Sequence, residues 1–108
     1  MSAEITEVST WRVYGDLAVD IDAREVQVDG NPITLTKLEF DVLIALCASP
    51  RVVLSREELI SRVWGPGWFG DEHVIDVHLS NLRRKLGDDP KNPRFVRTVR
   101  GVGFKLAA

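Results

Sequence analysis

The chain has 108 residues and a mass of 12.1 kDa, with 44% hydrophobic and 28% charged residues, which is the size and composition of one soluble globular domain. No apolar stretch approaches the roughly 18 to 20 residues that a membrane-spanning helix needs, and the first ten residues do not resemble a signal peptide. The single cysteine, Cys47, excludes an internal disulfide and a cysteine-based zinc site. These features predict a cytoplasmic protein with a packed core and with no membrane association, cofactor or metal.

Charge is distributed unevenly along the chain, although the net charge is only −2. From Met1 to Asp71 there are 6 basic and 12 acidic residues, and from Glu72 to Ala108 there are 8 basic and 4 acidic residues, so the two parts carry −6 and +4. The C-terminal third is therefore expected to attract a polyanion. A charged face that is merely solvated is the alternative interpretation.

The N-terminal part of the chain predicts a small sheet. Residues 1–10 are polar and aperiodic and are interpreted as a linker remnant or a disordered segment, which leaves one domain over residues 11–106. From Trp11 to Leu35, apolar and polar residues alternate in short pieces separated by turn sequences, of which Asp29-Gly30 is the strongest. This pattern predicts four short antiparallel strands in a meander.

Two capping-box sequences mark the starts of two helices. Thr36-Lys37-Leu38-Glu39 begins a helix that runs to about Ser49, and Ser55-Arg56-Glu57-Glu58 begins a shorter helix that ends at Gly65-Pro66. The first helix is apolar over more than half of its circumference and is predicted to be the most buried one. Cys47 lies on this apolar surface and is interpreted as an unreactive core residue.

The segment 65–71 contains too many glycines for regular structure, yet it holds the two aromatic residues Trp68 and Phe69. Either these rings anchor the loop on the helices, or at least one of them is displayed for a partner.

A third helix is predicted from about Asp71 or Glu72 to Leu86, with Gly87 as its C-terminal cap. One side of this helix carries an apolar stripe formed by Ile75, Leu79, Leu82 and Leu86. The opposite side carries His73, Val77, Ser80, Asn81 and Arg84, with Val74 and Arg83 at its margins. This side has no acidic residue at its centre and an exposed valine, which is unusual for a face that contacts only water.

The last segment, residues 94–106, alternates again and predicts a hairpin with strands Phe95 to Val99 and Val102 to Leu106 and a tight turn at Arg100-Gly101. The basic side chains that project from this hairpin are Arg97, Arg100 and Lys105. Four strands, three helices and a hairpin form an α+β fold, and the order of the helices and the hairpin is that of a winged helix-turn-helix.

Several motifs in this order resemble one family closely. They are Leu35-Thr36 with Glu39-Phe40, Ser55-Arg56-Glu57 with Leu59, Val63-Trp64-Gly65, Val74 to Leu79 with Leu82 to Leu86, and Arg97 to Phe104. Over residues 11–106 the chain resembles the C-terminal effector domain of OmpR/PhoB-type response regulators in two-component systems. It departs from the family pattern at His73, where arginine is usual, at Lys37, where a small residue or proline is common, and at Phe104, where tyrosine is usual.

The resemblance implies sequence-specific binding of double-stranded DNA, with the recognition helix, about residues 72–86, in the major groove and the wing, residues 95–106, in the minor groove. It supports Val77 and Asn81 as base-reading residues. Asparagine can bond adenine N6 and N7 together, and valine can contact a thymine methyl group. Arg100 is the base-reading candidate for a narrow A·T-rich minor groove, and a solvated turn residue is the alternative.

Phosphate contacts are implied by the resemblance for Arg56, Trp64, His73, His78 and Arg83. The predicted phosphate-contacting set is completed by Arg84, Arg97 and Thr98. Asp76 has two interpretations: an anion that stabilises the N-terminus of its helix, or a group that positions a basic side chain of the wing or a helix, the second being preferred.

The resemblance also implies the partners. Two copies are expected to bind direct repeats in tandem, whereas the isolated domain is expected to be monomeric in solution. The loop with Trp68 and Phe69 is expected to contact RNA polymerase. In the full-length protein, a receiver domain is expected upstream, with a sensor kinase acting on it.

Two other classes of protein are alternatives. An enzyme or metalloprotein would use His73, Asp76 and His78, but histidines five residues apart lie about 140° apart around a helix and cannot share a metal. No catalytic or metal-binding residue is therefore predicted. A winged helix that binds only protein is the remaining alternative, and it predicts more acidic residues on the third helix and a wing without its basic cluster.

Overall fold

A computed structural model describes residues 10–68, 70–89 and 91–107. The elements in chain order are β1 (Trp11–Tyr14), β2 (Leu17–Asp20), β3 (Glu25–Val28), β4 (Asn31–Ile33), α1 (Lys37–Ala48), α2 (Arg56–Trp64), α3 (Val74–Leu86), β5 (Val96–Val99) and β6 (Gly103–Leu106). The predicted α+β winged helix-turn-helix is confirmed. The segment interpreted as a linker, residues 1–10, lies outside the described residues except for Thr10. No helix among the described residues is long and apolar enough to cross a membrane.

The first four strands form the predicted antiparallel meander, with the order β1-β2-β3-β4. Its central strands alternate as the sequence suggested, and the side chains of Leu17, Val19, Val26 and Val28 are buried. These four residues pair across the two strands, Leu17 with Val28 and Val19 with Val26, so they share one face of the sheet. That face packs into the core.

Both predicted capping boxes are present. The Thr36 hydroxyl accepts a hydrogen bond from the Glu39 N–H at 3.2 Å, and the Glu39 carboxylate accepts one from the Thr36 N–H at 2.9 Å. The corresponding distances for Ser55 and Glu58 are 3.0 and 2.9 Å. These bonds satisfy N–H groups that have no partner within the helix, and so they fix where α1 and α2 begin.

The core lies between the sheet and the helices. The apolar stripe of α3 is buried as predicted, and α1 contributes the largest number of buried residues of any described helix. Cys47 is 2% exposed, and burial raises the pKa of its thiol to about 11. A thiol with so high a pKa is protonated at neutral pH, which agrees with its interpretation as an unreactive core residue.

Helix α3 begins at Val74, and the sequence-based start at Asp71 or Glu72 was wrong by two or three residues. Residues 71–73 form a tight turn in which the Val74 N–H donates to the Asp71 carbonyl at 3.1 Å. The Asp71 carboxylate accepts from the His73 N–H at 2.9 Å. A short acidic side chain that bonds nearby backbone in this way offers an alternative to helix, and this delays the first helical turn.

The wing strands are shorter than predicted, because Phe95 and Val102 lie outside them. The Val102 N–H donates to the Val99 carbonyl at 2.9 Å and closes the turn at the tip. Gly101 has a φ of 77°, which glycine adopts without steric cost, so the predicted turn at Arg100-Gly101 is confirmed. Val102 therefore belongs to the turn and not to the strand.

A two-residue bridge attaches the wing to the segment just before α2. The Leu54 N–H donates to the Phe104 carbonyl at 2.7 Å, and the Phe104 N–H donates to the Leu54 carbonyl at 2.8 Å. A Cβ at the neighbouring Gly103 would collide with the Leu54 carbonyl. The close approach of these two backbones therefore requires glycine at this position.

Helices α1 and α3 are joined by an ion pair whose carboxylate is buried. The Lys85 Nζ lies 2.7 Å from Glu39 Oε1, and Glu39 is 3% exposed. Burial would raise the pKa of Glu39, but hydrogen bonds from Lys85 and Thr36 outweigh it and hold the pKa below the ordinary value of 4.5. The carboxylate thus stabilises the fold in its charged form.

This pair predicts an acid-sensitive contribution to stability. Because the pKa of Glu39 is lower in the folded chain than in the unfolded chain, the contribution is complete above pH 4.5 and is lost as the pH falls through the folded-state pKa. Glu39→Gln should lower the free energy of unfolding by about 1 to 3 kcal/mol at pH 7 and should flatten its fall in acid. Urea titrations at several pH values measure both effects.

Glu25→Gln, at an exposed position on β3, is the matched control and should keep the wild-type pH dependence. An equally steep loss of stability in acid for the Glu39→Gln and wild-type chains would contradict this role.

Candidate nucleic-acid interface

The outward face of α3 carries the residues predicted to contact bases. Val77 is 58% exposed, and Asn81 lies one turn later and is half-buried. Ser80 and Arg84 are exposed on the same side of the helix. The two base-reading candidates on the helix are thus brought together on one accessible surface.

Arg56 on α2 and Asp76 on α3 form an ion pair, with 2.7 Å between Arg56 Nε and Asp76 Oδ1. This hydrogen bond raises the pKa of Arg56. The guanidinium carbon also lies 5.3 Å from the centre of the Phe104 ring. The pair supports the preferred interpretation of Asp76 as a residue that positions a basic side chain, here one from helix α2.

Arg83 joins α3 to the wing. Its Nη2 donates to the Thr98 hydroxyl at 2.6 Å and to the Val96 carbonyl at 3.3 Å. The side chain is half-buried, and burial lowers the pKa of its guanidinium. The sequence placed Arg83 only at the margin of the helix face and gave no indication of this contact.

The loop before α3 is anchored by aromatic stacking. The rings of Trp64 and Trp68 are 5.4 Å apart and inclined by 24°, and the ring of His78 lies 5.8 Å from that of Trp64. Trp68 is half-buried against the core, so for this ring the structure favours the anchoring interpretation. Phe69, the other predicted partner-contacting residue, lies outside the described residues.

His73 precedes the first turn of α3, and its side chain is 71% exposed. Its Nδ1 lies 2.9 Å from the carboxylate of Asp71. Hydrogen bonds from the backbone and the ring of His73 lower the pKa of Asp71. A negatively charged group therefore sits beside this predicted phosphate contact, and it partly offsets any positive charge on the imidazole.

The wing presents exposed polar and basic side chains. Arg97, Thr98 and Arg100 are all exposed, and Arg100 lies in the turn at the tip. In the described part of the chain, neither Arg97 nor Arg100 forms an ion pair with a carboxylate, and the same holds for Arg84 on α3. Their charge is available to an external anion.

Sequence reasoning missed the residues that hold the base of the wing. The buried Asp88 carboxylate accepts hydrogen bonds from the N–H groups of Arg94, Phe95 and Val96 at 2.6, 3.3 and 2.9 Å. The Arg94 side chain reaches Asp16 at 2.8 Å, which ties this loop to the N-terminal sheet. The one available signal was that Asp88 directly follows the helix cap, since aspartate often bonds loop backbone.

No group of three or more His, Cys, Asp or Glu side chains that could hold a metal is found in residues 10–68, 70–89 and 91–107. A surface depression lies instead between α3 and the wing, and its lining includes Arg56, Arg83, Thr98 and Phe104. The fold is that of a winged-helix domain, and its α3 face and wing present arginines that form no ion pair within the described residues.

Comparison with known proteins gives the family. The family model described as "Transcriptional regulatory protein, C terminal" matches residues 30–106. The chain belongs to this family: it is a DNA-binding effector domain of the OmpR/PhoB type of response regulator. The family and the relatives are transcription regulators and not enzymes.

Two relatives illustrate the similarity. The chain is 46% identical over 91 residues to the DNA-binding response regulator MtrA of Mycolicibacterium smegmatis, covering 84% of this chain and 40% of MtrA. It is 46% identical over 95 residues to the transcriptional regulatory protein CseB of Streptomyces coelicolor, covering 88% of this chain and 38% of CseB. The chain thus spans about two fifths of the length of these relatives.

Two solved structures are also similar. The DNA-binding domain of Klebsiella pneumoniae RstA, in complex with the RstA box, superposes with a TM-score of 0.83 at 29% identity, covering 92% of this chain and 98% of that one. The response regulator DrrB of Thermotoga maritima, an OmpR/PhoB homologue, superposes with a TM-score of 0.82 at 30% identity, covering 92% and 45% of the two chains.

Proposed function

We propose that this domain binds double-stranded DNA sequence-specifically, with α3 in the major groove and the β5–β6 wing in the minor groove. The observation that carries this proposal is the outward face of α3, where Val77 is 58% exposed beside Asn81. In the major groove, a valine on this face can contact a thymine methyl group, and an asparagine beside it can bond adenine.

The proposal divides the contacts by their chemistry. Val77 and Asn81 read bases in the major groove, since asparagine can bond both N6 and N7 of adenine. Arg100, at the wing tip, reads the minor groove, where narrow A·T-rich segments have an enhanced negative potential. The contacts to phosphates come from Arg56, Trp64, His73, His78, Arg83, Arg84, Arg97 and Thr98. Phosphate contacts hold the register and supply the salt-dependent part of the affinity.

The phosphate contacts differ in how firmly they are held. Arg56 is oriented by its 2.7 Å bond to Asp76, and Trp64 by its stacking with Trp68. Arg84 and Arg97 are exposed and form no ion pair within the described residues, so they must be ordered when DNA binds. The first group is preorganised and loses less conformational entropy on binding.

The proposed assembly on DNA is two copies in tandem on direct repeats, and the isolated domain is monomeric. The loop with Trp68 and Phe69 contacts RNA polymerase. In the whole protein, a receiver domain precedes this domain and responds to a sensor kinase in the cytoplasm. Membership in the response-regulator family supports these partners, and the relatives are more than twice as long as the region they share with this chain.

Selection of binding sites from random DNA tests the assembly. The selected sequences should contain paired direct repeats whose centres lie about one helical turn apart, because two head-to-tail copies must bind the same face of the duplex. Sequencing of the bound pool measures this. Recovery of strictly inverted repeats would contradict the tandem arrangement, and recovery of no preferred sequence would contradict specific binding altogether.

Two substitutions on α3 separate base reading from phosphate contact. Asn81→Ala should cost about 1 to 3 kcal/mol on the selected site and relax the preference at one base pair, because a bidentate contact is lost. Arg84→Ala should weaken binding to all DNA alike and reduce the slope of log K against log salt by about 1. Fluorescence anisotropy on selected and random duplexes at several salt concentrations measures both.

Arg12→Ala is the matched control, because Arg12 is exposed on the edge strand β1 of the N-terminal sheet. It should leave affinity and specificity unchanged. If Asn81→Ala and Arg84→Ala reduced binding to selected and random DNA by the same factor, the assignment of Asn81 to a base would be wrong.

A third substitution tests the wing. Arg100→Ala should weaken binding most on sites with an A·T-rich step beside the major-groove contacts, because the arginine is attracted by the narrow minor groove there. Its effect on unfolding should stay within about 0.5 kcal/mol, as for other exposed residues. Lys91→Ala, which removes an exposed charge from the preceding loop, should not change the ratio of affinities for A·T and G·C steps. An unchanged ratio in Arg100→Ala would mean that the wing does not read the minor groove.

A further inference from the structure

Arg83 differs from the other basic residues of α3 in the direction of its head group. Its Nη2 is shared between the Thr98 hydroxyl and the Val96 carbonyl, at 2.6 and 3.3 Å, so the guanidinium lies against strand β5. Arg84, the next residue, is exposed and makes no such contact in the described chain. Of these two adjacent arginines, one is thus bonded to the wing and the other is exposed to solvent.

Burial and the contacts to β5 already engage part of the Arg83 head group. Its Nε is buried and has no hydrogen-bond partner among the described residues. Its guanidinium carbon lies 5.9 Å from the centre of the Phe104 ring, on the floor of the depression between α3 and the wing. A buried donor that stays unsatisfied costs free energy, so the contacts to β5 must compensate for it.

The hydrogen bond also sets the direction of the Thr98 hydroxyl group. The guanidinium can only donate, so the Thr98 oxygen is the acceptor and its own hydrogen remains available to a second acceptor. Thr98 is exposed, and a DNA phosphate oxygen is an acceptor of the right kind. Arg83 can therefore act on DNA through Thr98.

We propose that Arg83 is a positioning residue: it fixes the angle of the wing relative to the recognition helix and orients the Thr98 hydroxyl toward a phosphate. This inference rests on the proposed function, because it requires α3 and the wing to occupy neighbouring grooves. It replaces an independent phosphate contact by Arg83 with a mechanical link between the two DNA-contacting elements. Readout by the wing then depends on an intact bond between Arg83 and β5.

A double-mutant cycle tests this link. Affinity is measured for the wild-type, Arg83→Ala, Arg100→Ala and doubly substituted chains on two duplexes that differ only in an A·T or G·C step under the wing. Arg100→Ala alone should weaken binding to the A·T duplex by about tenfold. In the Arg83→Ala chain the same change should cost less than about threefold, because residues that act together are not additive.

Arg84→Ala is the matched background, since it removes a neighbouring charge without touching the wing. In that background, Arg100→Ala should keep its full effect.

Thr98→Val is a second test of the same link. It keeps the shape of the side chain, removes the hydroxyl that accepts from Arg83 and leaves the charge of Arg83 in place. It should reduce the preference for the A·T duplex, whereas Thr98→Ser should retain it. Thermal unfolding of each chain shows that it is folded, and if Arg83→Ala is not, Thr98→Val decides.

The outcomes separate this inference from the proposed function. Additive effects of Arg83→Ala and Arg100→Ala, or an unchanged A·T preference in Thr98→Val, would show that Arg83 is an independent phosphate contact and would overturn the positioning role. If Arg100→Ala alone had no effect on the A·T duplex, the proposed wing contact would itself be wrong, and the positioning role with it. The Asn81→Ala effect on the recognition helix would be untouched by either failure.

Discussion

The backbone bridge between Leu54 and Phe104 determines how the wing is placed against the helices. Its two hydrogen bonds, at 2.7 and 2.8 Å, join strand β6 to the residue just before the N-cap of α2. The bridge is possible because Gly103 leaves room for the Leu54 carbonyl. It also places the Phe104 ring beneath two guanidinium groups, those of Arg56 and Arg83. The strand β6 is thus fixed at its backbone, while β5 is held by the side chain of Arg83 on α3 and by Asp88 just after it.

The sequence predicted the elements well because their signals are local. Capping boxes, the Gly87 cap and the apolar stripe of α3 are each contained within one or two helical turns, and all were confirmed. The prediction was wrong at the start of α3. There the Asp71 carboxylate bonds the backbone N–H of His73, and residues 71–73 form a separate turn before the helix begins at Val74. Both residues were visible in the sequence, but a short acidic side chain at this place can either begin a helix or bond the backbone of a turn, and the sequence does not distinguish the two.

The geometry around the candidate site could be predicted less well, because it depends on pairs distant in sequence. Arg83 with Thr98, Arg56 with Asp76 and Lys85 with Glu39 are 15, 20 and 46 residues apart. A helical projection assigns each of these residues to a face, but it does not say which other element that face meets. The base-reading candidates on α3 needed only the projection, and for that reason their place on its outward face was predictable while the contacts that support this face were not.

The basic C-terminal third therefore contains two populations of cations with different physical roles. Arg83 and Lys85 are partly buried and engaged with the wing and α1, and they set the shape of the domain. The exposed arginines of α3 and the wing form no ion pair within the described residues and are available to a polyanion. Salt screens exposed charges much more than partly buried ones. Higher ionic strength consequently weakens the attraction between the domain and DNA before it loosens the frame that holds the recognition helix and wing in register.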